Sequence, residues 1–155
     1  MKAIVDVTKA IRESMQTEKD AMDFYKLGAM KMDDSRAKDT FEMLAREEQQ
    51  HARSFYHLLH DPGLIAFEDF INQPPNTQSS WFKALQERLM ADFDERKALE
   101  LAIEQEELLE KNLRETAARI DDPKIKSVYL ANADSTRHHE VLIEEQYHAM
   151  LGMSK

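Results

Sequence analysis

Cysteine is absent from the 155-residue chain, which excludes disulfides, thiolate zinc sites, Cys-ligated iron–sulfur clusters and a catalytic thiol. Glycine and proline are scarce, three and four residues, so little interrupts long helices. No run approaches the roughly 18 apolar residues of a membrane span, and Met1-Lys2-Ala3-Ile4-Val5-Asp6 lacks the apolar stretch of a signal peptide. Basic residues are in deficit, 21 Lys and Arg against 30 Asp and Glu, and the formal charge of -9 argues against nucleic-acid or anionic-membrane partners. These features predict a soluble cytoplasmic protein, one domain over 1–155, long enough to bury a real core.

What is present repeats at helical spacing. A first helix is predicted from about Val7 to Met32, with the inner stripe Ile4, Ile11, Met15, Glu18, Met22, Tyr25, Ala29 and Met32. Asp33-Asp34-Ser35 makes a turn and caps a second helix, whose stripe is Ala37, Phe41, Leu44, Glu48, His51, Phe55 and Leu59. This helix is expected to run to about His60, where Asp61-Pro62-Gly63 stops it. Residues 61–80 read as irregular, an apolar patch (Leu64, Ile65, Phe67, Phe70, Ile71) followed by Asn72-Gln73-Pro74-Pro75-Asn76. Ser80 is placed as the cap of a short helix from Trp81 to Met90, and Asp94 as the cap of a long helix over about Glu95 to Ile120. The third stripe is Leu99, Ile103, Glu106, Leu113, Ala117 and Ile120. After Asp121-Asp122-Pro123, a fourth helix to about Leu151 carries Ile125, Tyr129, Asn132, Thr136, His139, Ile143, Tyr147 and Met150. The expected fold is all-α: an antiparallel four-helix bundle of two hairpins, about 7–60 and 95–151, joined by a long crossover over 61–94 between helices 2 and 3.

The two hairpins superpose at a single offset of 88 residues without a gap. Lys9, Ala10, Glu18, Ala29, Asp33, Asp34, Lys38, Ala45 and His51 meet Lys97, Ala98, Glu106, Ala117, Asp121, Asp122, Lys126, Ala133 and His139. Because the identities include the turn and the polar residues of the stripes, they indicate a duplicated hairpin. In the same register Thr136 falls on Glu48 and Leu113 on Tyr25. Glu18 and Glu48 are each about 15 residues from the first turn, so both lie about 20 Å from it. Glu106 and Thr136 repeat this relation about the second turn. Glu18, Glu48, His51, Glu106 and His139 are therefore expected at one level of the bundle core.

Charged groups facing a core are paired or coordinate a metal. Carboxylates and imidazoles on four facing helices are the donor set of the di-metal carboxylate bundles, for iron or manganese. The alternatives are a set of salt-bridged residues, or a bundle that keeps the residues without binding two metals. Tyr25 reads equally as core packing or as a catalytic candidate, either redox-active or held against the ligands. His57, His60, His138 and His148 are expected in solvent, and Glu104, Glu107 and Glu110 on an acidic helix face. A one-residue shift of the fourth helix would exchange His139 for His138 and Thr136 for Ser135, but the stripe favours His139.

Glu18 seven residues before Tyr25, followed by Glu48-x-x-His51, resembles the ferritin-like proteins of the rubrerythrin family, over nearly the whole chain. The resemblance implies a non-haem di-iron centre that reduces hydrogen peroxide or dioxygen, often in defence of anaerobic or microaerophilic cells. It implies Glu48 as a bridging carboxylate, Glu18 and Glu106 as terminal carboxylates, and His51 and His139 as imidazole ligands. Thr136 departs from the pattern, standing where a second bridging Glu belongs, and Leu113 departs at the counterpart of Tyr25. Without cysteine there is no Cys-ligated iron domain in this sequence, so electrons come from a separate donor protein or from Fe(II) itself. A ferroxidase or iron-storage subunit, and a metal-depleted structural or interaction bundle, are the other classes. The apolar faces at 64–71 and Trp81-Phe82 suggest a homodimer.

Overall fold

The computed structural model describes residues 6–60, 63–89 and 94–152. Ile4, Asp61-Pro62 and Met90 lie outside the described residues. Those described form α1 (Val7–Lys31), α2 (Ser35–Tyr56), α3 (Phe67–Ile71), α4 (Ser80–Leu89), α5 (Glu95–Ala117) and α6 (Pro123–Gly152). No described helix is long and apolar enough to cross a membrane.

The helices start where aspartates can cap them. Asp6 accepts from the Lys9 amide and Asp94 from the amides of Arg96 and Lys97; Asp34 accepts from Ala37 and Asp122 from Lys124 and Ile125. Each cap satisfies an otherwise orphaned N–H group at a helix start. The two pairs, Asp6 with Asp94 and Asp34 with Asp122, obey the 88-residue offset, so the duplication extends to the capping chemistry. The cap of α4 is a serine, and it departs from expectation. Ser79, not Ser80, accepts from the Phe82 amide and begins α4.

Two helices end earlier than periodicity alone predicts. α2 stops at Tyr56 rather than His60, and α5 at Ala117 rather than Ile120. In both, the chain tightens into i→i+3 bonds: Leu58 and Leu59 to Phe55 and Tyr56, Arg119 and Ile120 to Thr116 and Ala117. The tighter turns still bring Leu59 and Ile120 into the core, so the apolar stripe outlasts the helix that generates it. The segment after α2 is also more ordered than a plain loop, because Phe67–Ile71 closes one helical turn.

α1 packs along α2 and α5 along α6, and the two hairpins meet with α1 facing α5 and α2 facing α6. Glu95, at the start of α5, accepts from the backbone amide of Asp34 at 2.8 Å. The chain that leaves α2 at one end of the bundle thus returns to the end bearing the first turn. The crossover covers the outside of the bundle on its way. Phe67 packs on Tyr56 with ring centres 5.4 Å apart and Arg53 lies over its face at 4.4 Å, while Trp81 packs on Phe24 at 5.0 Å. Phe67, Phe70, Ile71 and Trp81 are consequently buried within one chain. The faces that suggested a homodimer are already covered, apart from half-exposed residues such as Leu64 and Phe82 and the exposed Ile65.

All stripe residues of α1 and α2 that are described are buried, and so are those of α5 and α6 except Ile103, Ile125, Tyr147 and Met150, which are partly buried and pack against the core. Gly28 sets the closeness of the first hairpin. A Cβ there would sit 2.8 Å from Cε2 of Phe41, whose ring is fully buried and stacked edge-on against Tyr25 at 4.9 Å. Alanine at position 28 gains about 1 kcal/mol of helix propensity but forces this ring to move, at ~1–3 kcal/mol. Gly28→Ala should therefore lower the unfolding free energy by about 1 kcal/mol, and Phe41→Leu in that background should recover part of the loss. Urea denaturation of the three proteins checks this; a Gly28→Ala protein more stable than wild type would refute it.

Candidate metal centre

Glu18 on α1, Glu48 and His51 on α2, Glu106 on α5 and His139 on α6 meet inside the bundle, as their spacing predicted. The three glutamates are completely buried, and His51 and His139 are 7% and 2% exposed. Their donor atoms fall into two groups that share Glu48: Glu18, Glu48 and His51 on one side, Glu48, Glu106 and His139 on the other. Within each group the donor atoms lie within 4.8 Å of one another. His51 Nδ1 is 3.2 Å from Glu18 Oε2 and 3.7 Å from Glu48 Oε2. His139 Nδ1 is 2.9 Å from Glu48 Oε1 and 3.7 Å from Glu106 Oε2. The two imidazoles stack nearly parallel, 8° apart, with centres separated by 5.4 Å.

Proximity in this cluster is mostly not pairing. His51 Nδ1 and Glu18 Oε2, 3.2 Å apart, are hydrogen-bonded, but Glu18 Oε1, both oxygens of Glu48, Glu106 Oε2 and both nitrogens of His139 have no hydrogen-bond partner although all are buried. Even the 2.9 Å approach of His139 to Glu48 lacks hydrogen-bond alignment. Unpaired buried polar atoms cost on the order of 1–3 kcal/mol each, more when charged, so six at one level need a common partner. Oxygen and imidazole donors converging with so few bonds among themselves fit divalent cations, and the donor set is consistent with a di-metal site.

The electrostatics carry the same signature. Burial pushes the Glu18 carboxyl up to about 7, with the closeness of Glu48 and the charge of His139 opposing the rise. Glu48 rises to about 8, first through burial and then through the charge of Glu18. Glu106 rises to about 7 through burial and the charge of Glu48, with His139 and Tyr25 opposing. Burial alone would lower His139, but the carboxylates of Glu106 and Glu48 beside it lift it to about 11. The cluster therefore retains protons near neutrality, and an imidazolium supplies part of the positive charge it needs.

Tyr25 is tied to the site as well as packed in the core. Its hydroxyl donates to Glu106 Oε1 at 2.6 Å, across 81 residues of sequence, while its ring contacts Phe24, Phe41 and Trp81. Leu113, its counterpart, is buried without such a bond. Thr136 is buried beside the cluster, but its hydroxyl donates to the Asn132 carbonyl one turn back on α6, at 2.8 Å. It offers the site no carboxylate and keeps its own donor for the helix. His139 is the buried member of its pair and His138 is exposed, as are His57, His60 and His148.

Several participants are not marked by the stripes. Ser135 Oγ lies 2.9 Å from His51 Nε2, and Glu47 Oε2 lies 3.4 Å from His139 Nε2. The duplication could have found them, since residues 47 and 135 are equivalent and each precedes its bridge position. Glu110 is more than part of an acidic face. It lies against the buried Glu140, whose carboxyl is pushed up to about 8 by burial and by the neighbouring Glu110. Glu110 itself is lowered by its contact with Glu140 and by Arg114, whose Nε sits 2.7 Å away. Nothing in the sequence distinguishes Glu140 from a solvated residue.

Comparison with known proteins agrees with this geometry. No curated protein and no solved structure matches the chain significantly. The family model described as Rubrerythrin matches residues 2–64, the span of α1, α2 and the start of the crossover. Glu18, Tyr25, Glu48 and His51 all lie inside that match, so residues 2–64 are similar to the rubrerythrin-type, ferritin-like domain, and without cysteine these 155 residues hold no rubredoxin-type iron site.

Proposed function

We propose that this protein is a non-haem di-iron oxidoreductase that reduces hydrogen peroxide or dioxygen at the expense of Fe(II). One observation carries the reading: five buried donor residues from four helices, with six of their polar atoms left without a partner, arranged in two groups around a shared Glu48. In this assignment Glu48 would bridge two ions, Glu18 and Glu106 would be terminal ligands, and His51 and His139 would each offer Nδ1, deprotonated, to one ion. Manganese takes the same donors. When bound, two ferrous ions supply the two electrons that, with two protons, convert one hydrogen peroxide to two waters.

The chain's own residues set the conditions for that chemistry. Tyr25 holds Glu106 in one orientation through a buried bond, so this ligand needs no reordering when it is used. The aromatic cluster of Phe24, Phe41 and Trp81 around Tyr25 keeps water from that side. Glu18, Glu48 and Glu106 hold protons near neutral pH, and cation binding must displace them. Re-reduction calls for a separate donor protein or fresh Fe(II), since the chain has no thiolate iron site.

Thr136 supports a second reading, a bundle that binds one ion well and the other poorly, because its hydroxyl is spent on Asn132. Anaerobic Fe(II) titration separates the two. Two irons per chain, followed by consumption of one hydrogen peroxide per two Fe(II), is the expected result, and His51→Ala should lose at least one iron. Saturation near one iron per chain would favour the second reading. Failure of wild type to bind iron, with His51→Ala behaving identically, would sink the assignment.

The buried carboxyls also predict a pH dependence. Their folded values lie above the ordinary 4.5, so each stabilises the metal-free fold fully below that value and loses its contribution as pH rises through about 7 to 8. His139 is raised too, so its contribution is full below its ordinary 6.5 and declines in the same direction as pH rises from there through about 11. The Tm of the metal-free protein should fall by on the order of 5 °C or more between pH 5 and 8.5, and loading with Mn(II) should reverse the trend because the carboxylates then bind as anions. Calorimetric scans with and without Mn(II) measure both slopes; a metal-free Tm that rises with pH would contradict the burial argument.

A further inference from the structure

Each histidine of the cluster has a second nitrogen, and the two are finished differently. His51 turns Nδ1 toward Glu18 and Glu48 and sets Nε2 at 2.9 Å from the Ser135 hydroxyl. His139 turns Nδ1 toward Glu48 and Glu106 and sets Nε2 at 3.4 Å from the Glu47 carboxylate. Glu47 and Ser135 are equivalent positions of the duplicated hairpin, and each reaches across to the histidine of the other hairpin. The repeat therefore places a carboxylate behind one imidazole and a hydroxyl behind the other.

We propose that Glu47 is the positioning residue of His139, and that it makes the Glu48–Glu106–His139 half of the site the first to take a divalent cation. A neutral imidazole carries one N–H and one lone pair. The Glu47 carboxylate stands 3.4 Å from an Nε2 that makes no aligned hydrogen bond in the metal-free site, and its charge favours the N–H at that nitrogen, which leaves the Nδ1 lone pair facing Glu48 and Glu106. A serine hydroxyl donates or accepts equally well, so Ser135 does not select the tautomer of His51. The two halves also differ in what a cation must break. Glu106 is oriented by Tyr25 at 2.6 Å and keeps Oε2 free, and Nδ1 of His139 is free as well, whereas Glu18 Oε2 is engaged with His51 Nδ1 at 3.2 Å. The side chain of Glu47 is 44% exposed, so it acts from the rim of the cluster and its replacement leaves the core intact.

This inference rests on the di-metal reading of the cluster, and Co(II) tests the two separately. Co(II) is stable to oxidation under anaerobic conditions, and its visible absorption reports the donor set at each ion. With one equivalent of Co(II), anomalous scattering should place the ion between Glu106 and His139. Glu47→Ala should weaken the tighter site by about 10–100-fold and change the absorption of the first equivalent, with Glu47→Gln intermediate because its amide oxygen still accepts. Ser135→Ala should weaken the other site less than this, and Ser135→Glu should strengthen it. The metal-free variants at position 47 should unfold at the wild-type temperature. A Glu47→Ala protein that binds Co(II) as wild type does, or a first ion found beside His51, would overturn the proposal while leaving the di-metal reading standing. A wild-type protein that takes up no Co(II) would overturn both.

Discussion

Three carboxylates buried at one level of a helical bundle set the terms for the rest of this structure. An isolated buried carboxylate is strongly disfavoured unless it is neutralised or paired. Here Glu18, Glu48 and Glu106 cannot neutralise one another. Without a metal, the cluster relies on retained protons and on a charged His139. Both are weaker solutions than a divalent cation at the centre, because they leave several buried oxygens without a partner. The site is thus a charge deficit built into an otherwise apolar core, and that core holds it in place.

The way it is held explains features far from the donors. Gly28 lets α1 and α2 approach closely enough for the Phe41 ring to lie against the helix. That ring, with Phe24 and Trp81, walls in Tyr25. Tyr25 in turn bonds to Glu106 on the opposite hairpin. Trp81 belongs to the crossover, so the segment that returns the chain to the first turn also closes the wall around the tyrosine. Packing and site chemistry are coupled through one phenol: its ring is held by the first hairpin and the crossover, its hydroxyl by the second hairpin.

Much of this was legible because helical periodicity and burial are linked by simple geometry. Glu18, Glu48, His51, Glu106 and His139 interrupt apolar stripes, and equal distances from two turns put them at one level. The 88-residue offset did the same for the caps, where Asp6 and Asp94 proved equivalent. Helix ends were less legible. Leu59 and Ile120 belong to the apolar stripe but enter the core through tightened turns, and periodicity cannot distinguish the two hydrogen-bond patterns. Glu47, Ser135 and Glu140 were missed for another reason: each sits one step off the inward stripe. Residues there ordinarily face a neighbouring helix or solvent, and only the tertiary arrangement shows which reach a histidine or a buried acid.

The two hairpins contribute unequally, and the inequality has a direction. The first supplies the shared Glu48, the phenol that fixes Glu106, and Glu47 behind His139. The second retains Glu106 and His139, the two residues that those groups touch, and at the equivalents of Tyr25, Glu47 and Glu48 it has Leu113, Ser135 and Thr136. Thr136 turns its hydroxyl to its own helix, and Leu113 fills space without reaching a ligand. The second hairpin therefore furnishes donors whose positions are dictated from across the bundle, while the first furnishes donors and their supports. A family match over residues 2–64 has a physical counterpart here, since the supports as well as the shared Glu48 lie within that span. The half of the site that contains His139 thus takes its supports from the other hairpin, with Tyr25 orienting Glu106 and Glu47 standing 3.4 Å from His139 Nε2.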